Sequence, residues 1–330
     1  MGTIRKRKAK VKYTDQVRIP FEVPRPGTRS YDVAGLGLNS IDLLAVVPEY
    51  PAPNTKVQLA QFAQLPGGQI ATAMCACAKL GWRVTYIGSF GDDEFGAVSR
   101  QSLADAGVDS RWSRTVSGAS NQFAVVLVDA RSGERTVLWH RHRALTMEAA
   151  DVPFVGATSG RMLVVDCHET AAATRAAQCA RQAGIPTIVD VERVRPGIAA
   201  LLESIDAIVA AESFPSELTG YSDTGRALEA MSREFNAPLV CVTLGARGSL
   251  ARCGGREIRT AAFDVECRDS TGAGDAFRGG FAAGCLRSPG GEIEDVLAYA
   301  NAVAALNCRG LGARGGLPTR EEVDELLYGR

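Results

Sequence analysis

The second half of the chain alternates short apolar runs with amphipathic segments. We predict strands over the apolar runs 162–167, 186–191, 207–211 and 238–243, and helices over the intervening segments 171–183, 199–204 and 225–235. Near-continuous apolar strands that alternate with helices indicate a parallel sheet covered by helices on both faces. Three further helices are predicted towards the end of the chain, over 270–286, 293–308 and 320–328.

The first half of the chain has a different pattern. Residues 1–30 are polar, basic and contain several prolines, so we predict an N-terminal extension ahead of one α/β domain over 31–330. The domain opens with a strand at 31–37, a small-residue helix at 69–80, a strand at 84–89 and a helix at 92–106. A hairpin is predicted from strands 123–129 and 135–140 around a turn at Ser132-Gly133. With residues 43–65 it predicts a small β-rich lid, formed by about 43–66 and 117–143.

Composition and charge narrow the classes of function. Lys plus Arg and Asp plus Glu both number 37 in 330 residues, so the formal net charge is zero. A general nucleic-acid-binding protein usually has a basic excess, and no apolar stretch reaches the length of a membrane span. We therefore expect neither nucleic acid nor membrane as a partner. The basic run at 5–8 is expected to be a solvated part of the extension.

The cysteines bear on the cellular compartment. There are nine, spread along the chain without a Cys-x-x-Cys pair. Most lie in apolar contexts, which is typical of small buried side chains. An odd number of scattered cysteines, with no secretory signal at the start, favours a reducing compartment, and we expect a cytoplasmic protein.

Residues 269–275 carry the strongest chemical signal. They read Asp-Ser-Thr-Gly-Ala-Gly-Asp and lead into an apolar helix. The backbone amides of Gly272, Ala273 and Gly274 would lie at the positive end of that helix, where an anion can bind. Asp275, in the first helical turn, could accept a proton from an attacking hydroxyl. The plainer alternative is that Asp275 only complements the helix dipole.

The segment from Asp269 to Phe277 resembles the C-terminal signature of the ribokinase or PfkB family of sugar and nucleoside kinases. A second, distant stretch is similar to the family's first motif: Leu65-Pro66-Gly67-Gly68, a small-residue helix, Leu80-Gly81 and then 87–96. The resemblance covers about 31–330. It implies a three-layer α/β ribokinase-like fold, with a mostly parallel central sheet flanked by helices and a small β-rich lid.

The resemblance also implies an activity and its residues. It implies phosphoryl transfer from ATP, with Mg²⁺, to a sugar hydroxyl; Asp275 would be the base and the amides of 272–274 the anion hole. The matching acceptor-binding residues are Asn39, Asp42, Gly67, Gly68, Thr72, Asp166 and His168. The matching nucleotide-binding residues are Thr243, Gly245, Gly248 and Asn301. In many relatives backbone carbonyls around Asp269 and Thr271 bind K⁺. An exposed lid sheet is often paired, so we expect a homodimer through the lid.

The chain departs from ribokinase at several positions. His168 stands where ribokinases place an acceptor-binding Glu, and Thr72 stands where many carry Asn. The Asn-x-x-Glu motif that organises Mg²⁺ is replaced, with Ala211 and Phe214 at its positions, so Glu212 or water would hold the ion. The ketohexokinase and sulfofructose-kinase branches also lack that motif, and 189–196 is similar to ketohexokinase. These features favour a keto-sugar or related acceptor.

Three other functions are weighed against this one. A nucleoside kinase of the same fold would need an aromatic or apolar slot for the base, for which only Phe123 and Trp139 in the lid are available. A sugar-binding regulator without activity would have no need of Asp275. A dinucleotide-binding oxidoreductase is suggested by Gly35-x-Gly37, but Ser40 stands where the third glycine should be.

Overall fold

The structure is a computed structural model that describes residues 16–131 and 135–329. The basic run at 5–8 and the predicted turn at 132–133 lie outside the described residues. Within the described residues the strands are β1 (Val33–Leu36), β2 (Ser40–Val47), β3 (Gln61–Gly67), β4 (Val84–Ile87), β5 (Ser89–Gly91), β6 (Arg114–Val116), β7 (Phe123–Asp129), β8 (Arg135–His140), β9 (Met162–Asp166), β10 (Thr187–Val191), β11 (Ala207–Ala210), β12 (Leu239–Thr243), β13 (Ser249–Cys253) and β14 (Arg256–Thr260).

The α-helices cover the segments between and after these strands. They are α1 (Gln69–Lys79), α2 (Glu94–Asp105), α3 (Phe154–Ala157), α4 (Thr170–Gln182), α5 (Ile198–Leu202), α6 (Phe214–Thr219), α7 (Thr224–Glu234), α8 (Ala273–Arg287), α9 (Ile293–Asn307) and α10 (Arg320–Tyr328). No described helix is both long and apolar enough to cross a lipid bilayer.

The central sheet has the strand order β14-β13-β12-β11-β10-β9-β1-β4. Neighbouring strands from β4 to β12 are parallel, which confirms the sheet that the alternating pattern predicts. The last two strands, β13 and β14, are antiparallel additions at one edge. They follow β12 without an intervening helix, so the strand–helix alternation gave no sign of them.

Helices cover both faces of this sheet. Because side chains alternate along a strand, Val164 and Ile188 enter the core formed with α1, α8 and α9, whereas Leu163 and Val189 enter the core formed with α4, α5 and α7. Helix α8 packs against both α1 and α9. Its first turn, which holds Asp275, is therefore supported on two sides.

The lid is a separate four-stranded sheet in the order β3-β2-β7-β8. Strands β2 and β7 are parallel, and the two outer pairs are antiparallel. Strand β3 covers Gln61–Gly67, and residues 55–59 before it lie outside any strand. Strand β2 begins four residues after β1 ends, so the chain passes from the central sheet into the lid through the segment that contains Asn39.

Residues 16–30 correct the prediction of an extension that stands ahead of the domain. Ile19 is buried, and its N–H donates to the carbonyl of Gly291 at 2.9 Å. The buried guanidinium of Arg161 donates to the carbonyl of Pro24 at 2.7 Å and to the carboxylate of Asp32 at 3.1 Å. This half of the predicted extension is part of the folded domain, because its apolar side chains complete the core.

Candidate active site

Helix α8 begins immediately after Gly272, which is its N-cap. Gly272 has φ +72°, and a methyl group there would lie 2.4 Å from the carbonyl oxygen of Ala313. A residue with a side chain would be strained in this conformation and would push the 313 backbone away. The N–H of Ala273 donates to the carbonyl of Ser270 at 3.2 Å. The amides that follow lie in the first turn, where a helix offers them no internal acceptor.

Asp275 lies in this first turn, close to several other carboxylates. It keeps part of its surface open, but protein atoms crowd its carboxylate, and this burial raises the pKa of Asp275 to about 7. Arg278 opposes the rise in pKa, whereas Glu192, Asp42 and Asp166 add to it. The structure therefore brings Asp42 and Asp166, which the sequence places far away, to the same site as Asp275. A carboxyl group with this pKa can exchange a proton near neutral pH.

A buried ion pair lies beside Asp275, and the sequence did not reveal it. Arg278 Nη2 is 2.6 Å from Asp190 Oδ1, and both side chains are at most 5% exposed. A methyl group on Gly274 would lie 2.3 Å from Arg278 Nη1, so the guanidinium lies against the first turn of α8. Burial raises the pKa of Asp190 and Arg278 opposes that rise. The guanidinium of Arg278 therefore pairs with Asp190, and it also lowers the pKa of the neighbouring Asp275.

On the acceptor side, Asp42 lies beside the Gly67-Gly68 loop. Its Oδ1 accepts a hydrogen bond from Ser40 Oγ at 3.1 Å, and a methyl group on Gly67 would lie 2.3 Å from its Oδ2. Burial raises the pKa of Asp42, while Ser40 and Arg314 lower it. Gly68 has φ +91° and packs on the backbone of Asn39, where a methyl group would be 2.4 Å from Cα. The loop can therefore lie against the strand end only with glycine at this position.

Three predicted acceptor residues have side chains that are committed to the protein itself. Asn39 donates to Tyr86 Oη at 3.0 Å and to the Ser89 carbonyl at 2.9 Å, and accepts from Ser99 Oγ at 3.0 Å. Asp166 accepts from the amides of Leu38 and His168 at 2.7 and 3.0 Å. Thr72 is fully buried and accepts from Arg314 Nε at 3.2 Å. These contacts fix the three side chains in the protein, and their part in binding the acceptor stays a prediction.

His168 pairs with Glu192 across the ends of β9 and β10. His168 Nε2 is 3.5 Å from Glu192 Oε1. The hydrogen bond with His168 is the main reason that the pKa of Glu192 is lowered. Since Glu192 in turn raises the pKa of Asp275, the pair lies on the same side of the site as the candidate base. Glu192 is a second residue that the sequence did not single out.

A cleft of about 550 Å³ lies on the other side of the α8 N-terminus. Its lining includes all four residues predicted to bind nucleotide, Thr243, Gly245, Gly248 and Asn301, together with Ser270, Ala273 and Gly274 of the catalytic segment. The amide of Asn301 is held by a hydrogen bond to Ser249 Oγ at 3.0 Å. The cleft and the Asp42 side of the site therefore meet at the start of α8.

The loop over 308–316 braces both sides of the site. The carboxylate of Asp269 accepts from the amides of Thr271 and Gly312 at 2.9 and 2.8 Å, which ties the catalytic segment to this loop. Arg314 donates to the Gly67 carbonyl at 2.6 Å and to Ser102 Oγ at 3.1 Å, in addition to its bond with Thr72. Arg314 therefore fixes the acceptor loop relative to the catalytic segment, a role that the sequence did not indicate.

These contacts bear on the metal predictions. The Asp269 carboxylate accepts from two backbone amides, and the binding of K⁺ by backbone carbonyls around Asp269 and Thr271 stays a prediction. Glu212, the predicted substitute for the Asn-x-x-Glu motif, forms an ion pair with Arg247 and is more than half exposed. Within the described residues no group of three or more His, Cys, Asp or Glu side chains is arranged to hold a metal ion.

The lid reaches the catalytic segment through arginine. Arg135 of β8 donates from Nη1 to Ser270 Oγ at 2.9 Å. Arg141, just beyond β8, is held by Glu169, by Gln122 Oε1 at 3.2 Å and by the Leu145 carbonyl at 3.1 Å. The lid in this structure is therefore in contact with the body of the domain at both ends of β8.

Comparisons with known proteins agree with this fold. Residues 31–320 match the pfkB family of carbohydrate kinases, and the chain belongs to that family. It is 28% identical over 302 residues to a ribokinase of Haemophilus influenzae, covering 88% of this chain and 97% of the relative. It is 29% identical over 328 residues to fructokinase-1 of Oryza sativa subsp. japonica, covering 91% and 98%. The chain is thus a carbohydrate kinase, a phosphotransferase with an alcohol group as acceptor.

The fold itself is that of ribokinases. A solved structure described as a putative ribokinase II from E. coli, in complex with ATP and Mg²⁺, superposes with a TM-score of 0.79 at 21% identity, covering 91% of this chain and 99% of that one. The ribokinase-like α/β fold that the motifs implied is confirmed.

Arg314 gives a test of how the acceptor loop is positioned. Hydrogen bonds to charged groups contribute about 1.5–3 kcal/mol, and about 1.4 kcal/mol is a factor of ten in affinity. Arg314→Gln should therefore raise the acceptor KM by about tenfold or more and change the ATP KM by less than about threefold, as measured by steady-state kinetics. Arg309→Gln, at an exposed position in the same loop, is the matched control and should change neither. An equal rise in both KM values would contradict this role of Arg314.

Proposed function

We propose that this protein phosphorylates a hydroxyl of a sugar, a keto-sugar or related carbohydrate, with ATP as the donor. The observation that carries the proposal is the position of Asp275. It lies at the start of α8, between the Asp42 side of the site and the cleft lined by Thr243, Gly245 and Gly248. An acceptor on one side and the end of a triphosphate on the other would both reach this helix N-terminus.

In this proposal each group has one task. Asp275 takes the proton from the attacking hydroxyl, and Asp42 binds sugar hydroxyls. The amides at the start of α8, from Gly272 to Gly274, stabilise negative charge on the transferring phosphoryl group. The lid, with its Arg135 contact to Ser270, excludes water that would otherwise divert the phosphoryl group.

The proposed reaction includes two metal ions, Mg²⁺ and K⁺. Mg²⁺ would supply charge neutralisation to the phosphates, and phosphate oxygens and water would hold it. The E. coli neighbour whose structure contains ATP and Mg²⁺ supports the use of ATP with Mg²⁺. K⁺ would be bound by backbone carbonyls of the 269–271 segment.

The keto-sugar acceptor is supported by the chain's departures from ribokinase and by the similarity to a fructokinase. His168 and Glu192 form one wall of the site, where ribokinases have an acceptor-binding Glu. Nine free thiols, of which seven are buried, agree with a reducing compartment, and we propose the cytoplasm.

We also propose a homodimer that forms through the lid. The exposed edge strand β8 carries Val137, Leu138 and Trp139, which are 48%, 55% and 62% exposed, and the opposite edge strand carries Phe62 at 59%. An exposed edge strand with apolar side chains is a ready site for pairing with another chain.

Asp275→Asn tests the activity. Loss of a general base costs about 10²–10⁴-fold in rate, so the variant should lose at least about 100-fold in kcat on the best acceptor. The best acceptor is identified first, by measuring the ADP formed from ATP in the presence of pentoses, hexoses, ketoses and nucleosides, with and without K⁺. Unchanged ATP binding by Asp275→Asn in calorimetry is the control for folding.

The outcomes separate the alternatives. A ketose as the best acceptor supports the proposal, and a nucleoside as the best acceptor would replace it with a nucleoside kinase. No turnover of any acceptor would favour a regulator that only binds sugar. Full turnover by Asp275→Asn would remove Asp275 from the mechanism.

The pH dependence of kcat/KM tests the surroundings of Asp275. Asp275 must be deprotonated to act, so kcat/KM should fall as the pH drops below about 7. Arg278 lowers the pKa of Asp275, so Arg278→Gln should move this acid limb to higher pH, while Arg278→Lys, which keeps the charge, should move it less. The readout is the position of the limb and not its height, because loss of the buried pair also costs stability. An unmoved limb in Arg278→Gln would contradict the coupling.

Trp139→Glu tests the lid interface. A charge on the exposed apolar strand opposes pairing, so the variant should be monomeric in light scattering at concentrations where the unmodified protein is a dimer. Arg256→Glu, on the edge strand of the central sheet far from the lid in the sheet order, should leave the dimer intact. A monomeric unmodified protein would refute the proposal.

A further inference from the structure

Two of the nine cysteines differ from the rest in exposure. Cys267 is exposed and Cys308 is half-buried, whereas the other seven are buried. Buried thiols are protected from oxidants in solution, while exposed ones react. Any selective thiol chemistry of the folded protein should therefore begin at Cys267.

These two cysteines are also neighbours. The N–H groups of Arg268 and Asp269 both donate to the Cys308 carbonyl, at 2.8 and 3.1 Å. These two hydrogen bonds to one carbonyl hold the segment that carries Cys267 against the end of α9. Burial raises the pKa of the Cys308 thiol to about 11, and the neighbouring Cys267 adds to that rise. A disulfide needs two Cα atoms within about 7 Å of one another, and the hydrogen bonds to the Cys308 carbonyl hold the two backbone segments side by side.

The pair lies in the wall of the cleft proposed to hold the nucleotide. Both Cys267 and Cys308 line it, as do Phe263, Asp264 and Val265 of the segment that precedes Cys267. Residues 261–267 have no regular secondary structure. A displacement of Cys267 would therefore also displace the preceding residues that line the cleft. In a disulfide the sulfurs are about 2.05 Å apart, closer than two thiols in contact, and the wall would be drawn towards α9.

We propose that Cys267 and Cys308 are a reversible oxidation site whose disulfide weakens ATP binding. The inference about ATP rests on the proposed function, whereas formation of the disulfide does not. Disulfides in reducing compartments are usually transient and redox-sensing, which fits a pair with one exposed member.

With hydrogen peroxide as the oxidant, the reaction balances in two steps. The Cys267 sulfur attacks one peroxide oxygen, the O–O bond breaks, and a sulfenic acid and one water result. The Cys308 sulfur then attacks the Cys267 sulfur, the S–O bond breaks, and a second water leaves. The two sulfurs together lose two electrons, and a dithiol reductant returns them by thiol–disulfide exchange.

The test compares the full chain with Cys267→Ser and Cys308→Ser, each before and after peroxide and then after dithiothreitol. Differential alkylation and peptide mass mapping should show one Cys267–Cys308 disulfide, with a mass loss of about 2 Da, in the unmodified chain only. Calorimetric titration should show the ATP Kd rising by about tenfold or more on oxidation and recovering on reduction. In both variants peroxide should leave the ATP Kd within about twofold.

Each other outcome overturns the proposal in a distinct way. If peroxide weakens ATP binding equally in Cys308→Ser, oxidation of Cys267 alone is responsible and the pair is not. If the disulfide forms and the ATP Kd is unchanged, the site has no regulatory effect. If the reduced protein binds no ATP, the proposed function fails together with the regulation, and the mapping alone then decides whether the disulfide exists.

Discussion

The confinement of negative charge around Asp275 is the constraint on which the rest of the site depends. Two unit charges 4 Å apart interact by about 4 kcal/mol at an effective dielectric constant of about 20, so neighbouring carboxylates cannot all be left without compensation. Each neighbour has its own partner: Asp190 has Arg278, Glu192 has His168, and Asp166 has two backbone amides. Among the described residues no side chain donates a hydrogen bond to Asp275. The proton affinity that this leaves is what a base acting near neutral pH requires.

That balance holds only if segments distant in sequence stay in place. Asp190 comes from β10 and Arg278 from α8, and their 2.6 Å contact depends on the packing of α8 on the central sheet. The loop over 308–316 supplies the other restraints, through Gly312 to Asp269 and through Arg314 to Gly67. A small displacement of α8 would change both the charge around Asp275 and its distance to the acceptor loop.

The sequence predicted those parts of the site that are local in the chain. The alternation of apolar and amphipathic segments predicted the parallel strands of the central sheet and most of the helices, and short motifs marked the start of α8 and the four residues that line the cleft. The Asp190–Arg278 pair and the Arg314 brace could not be predicted, because each depends on which strands and loops become neighbours. The contacts of Asn39 and Asp166 could not be predicted either, for a related reason. Asn39 bonds to the hydroxyls of Tyr86 and Ser99, and Asp166 accepts from the amides of Leu38 and His168, all of which belong to segments distant from it or to a strand end whose geometry the sequence does not give.

The same charges bear on the acceptor. A phosphorylated or acidic sugar would bring a further anion towards Asp42, Glu192 and Asp275, and would need a cation to offset it. Two of the partly buried arginines near this side are engaged: Arg314 with Gly67, Thr72 and Ser102, and Arg141 with Glu169. The buried Nε of a third, Arg195 near Glu192, has no hydrogen-bond partner among the described residues. Hydroxyl groups, by contrast, are donors that carboxylates accept without added charge. These carboxylates support the proposed sugar acceptor, and we expect its selectivity to come from the spacing of Asp42 and the His168–Glu192 pair.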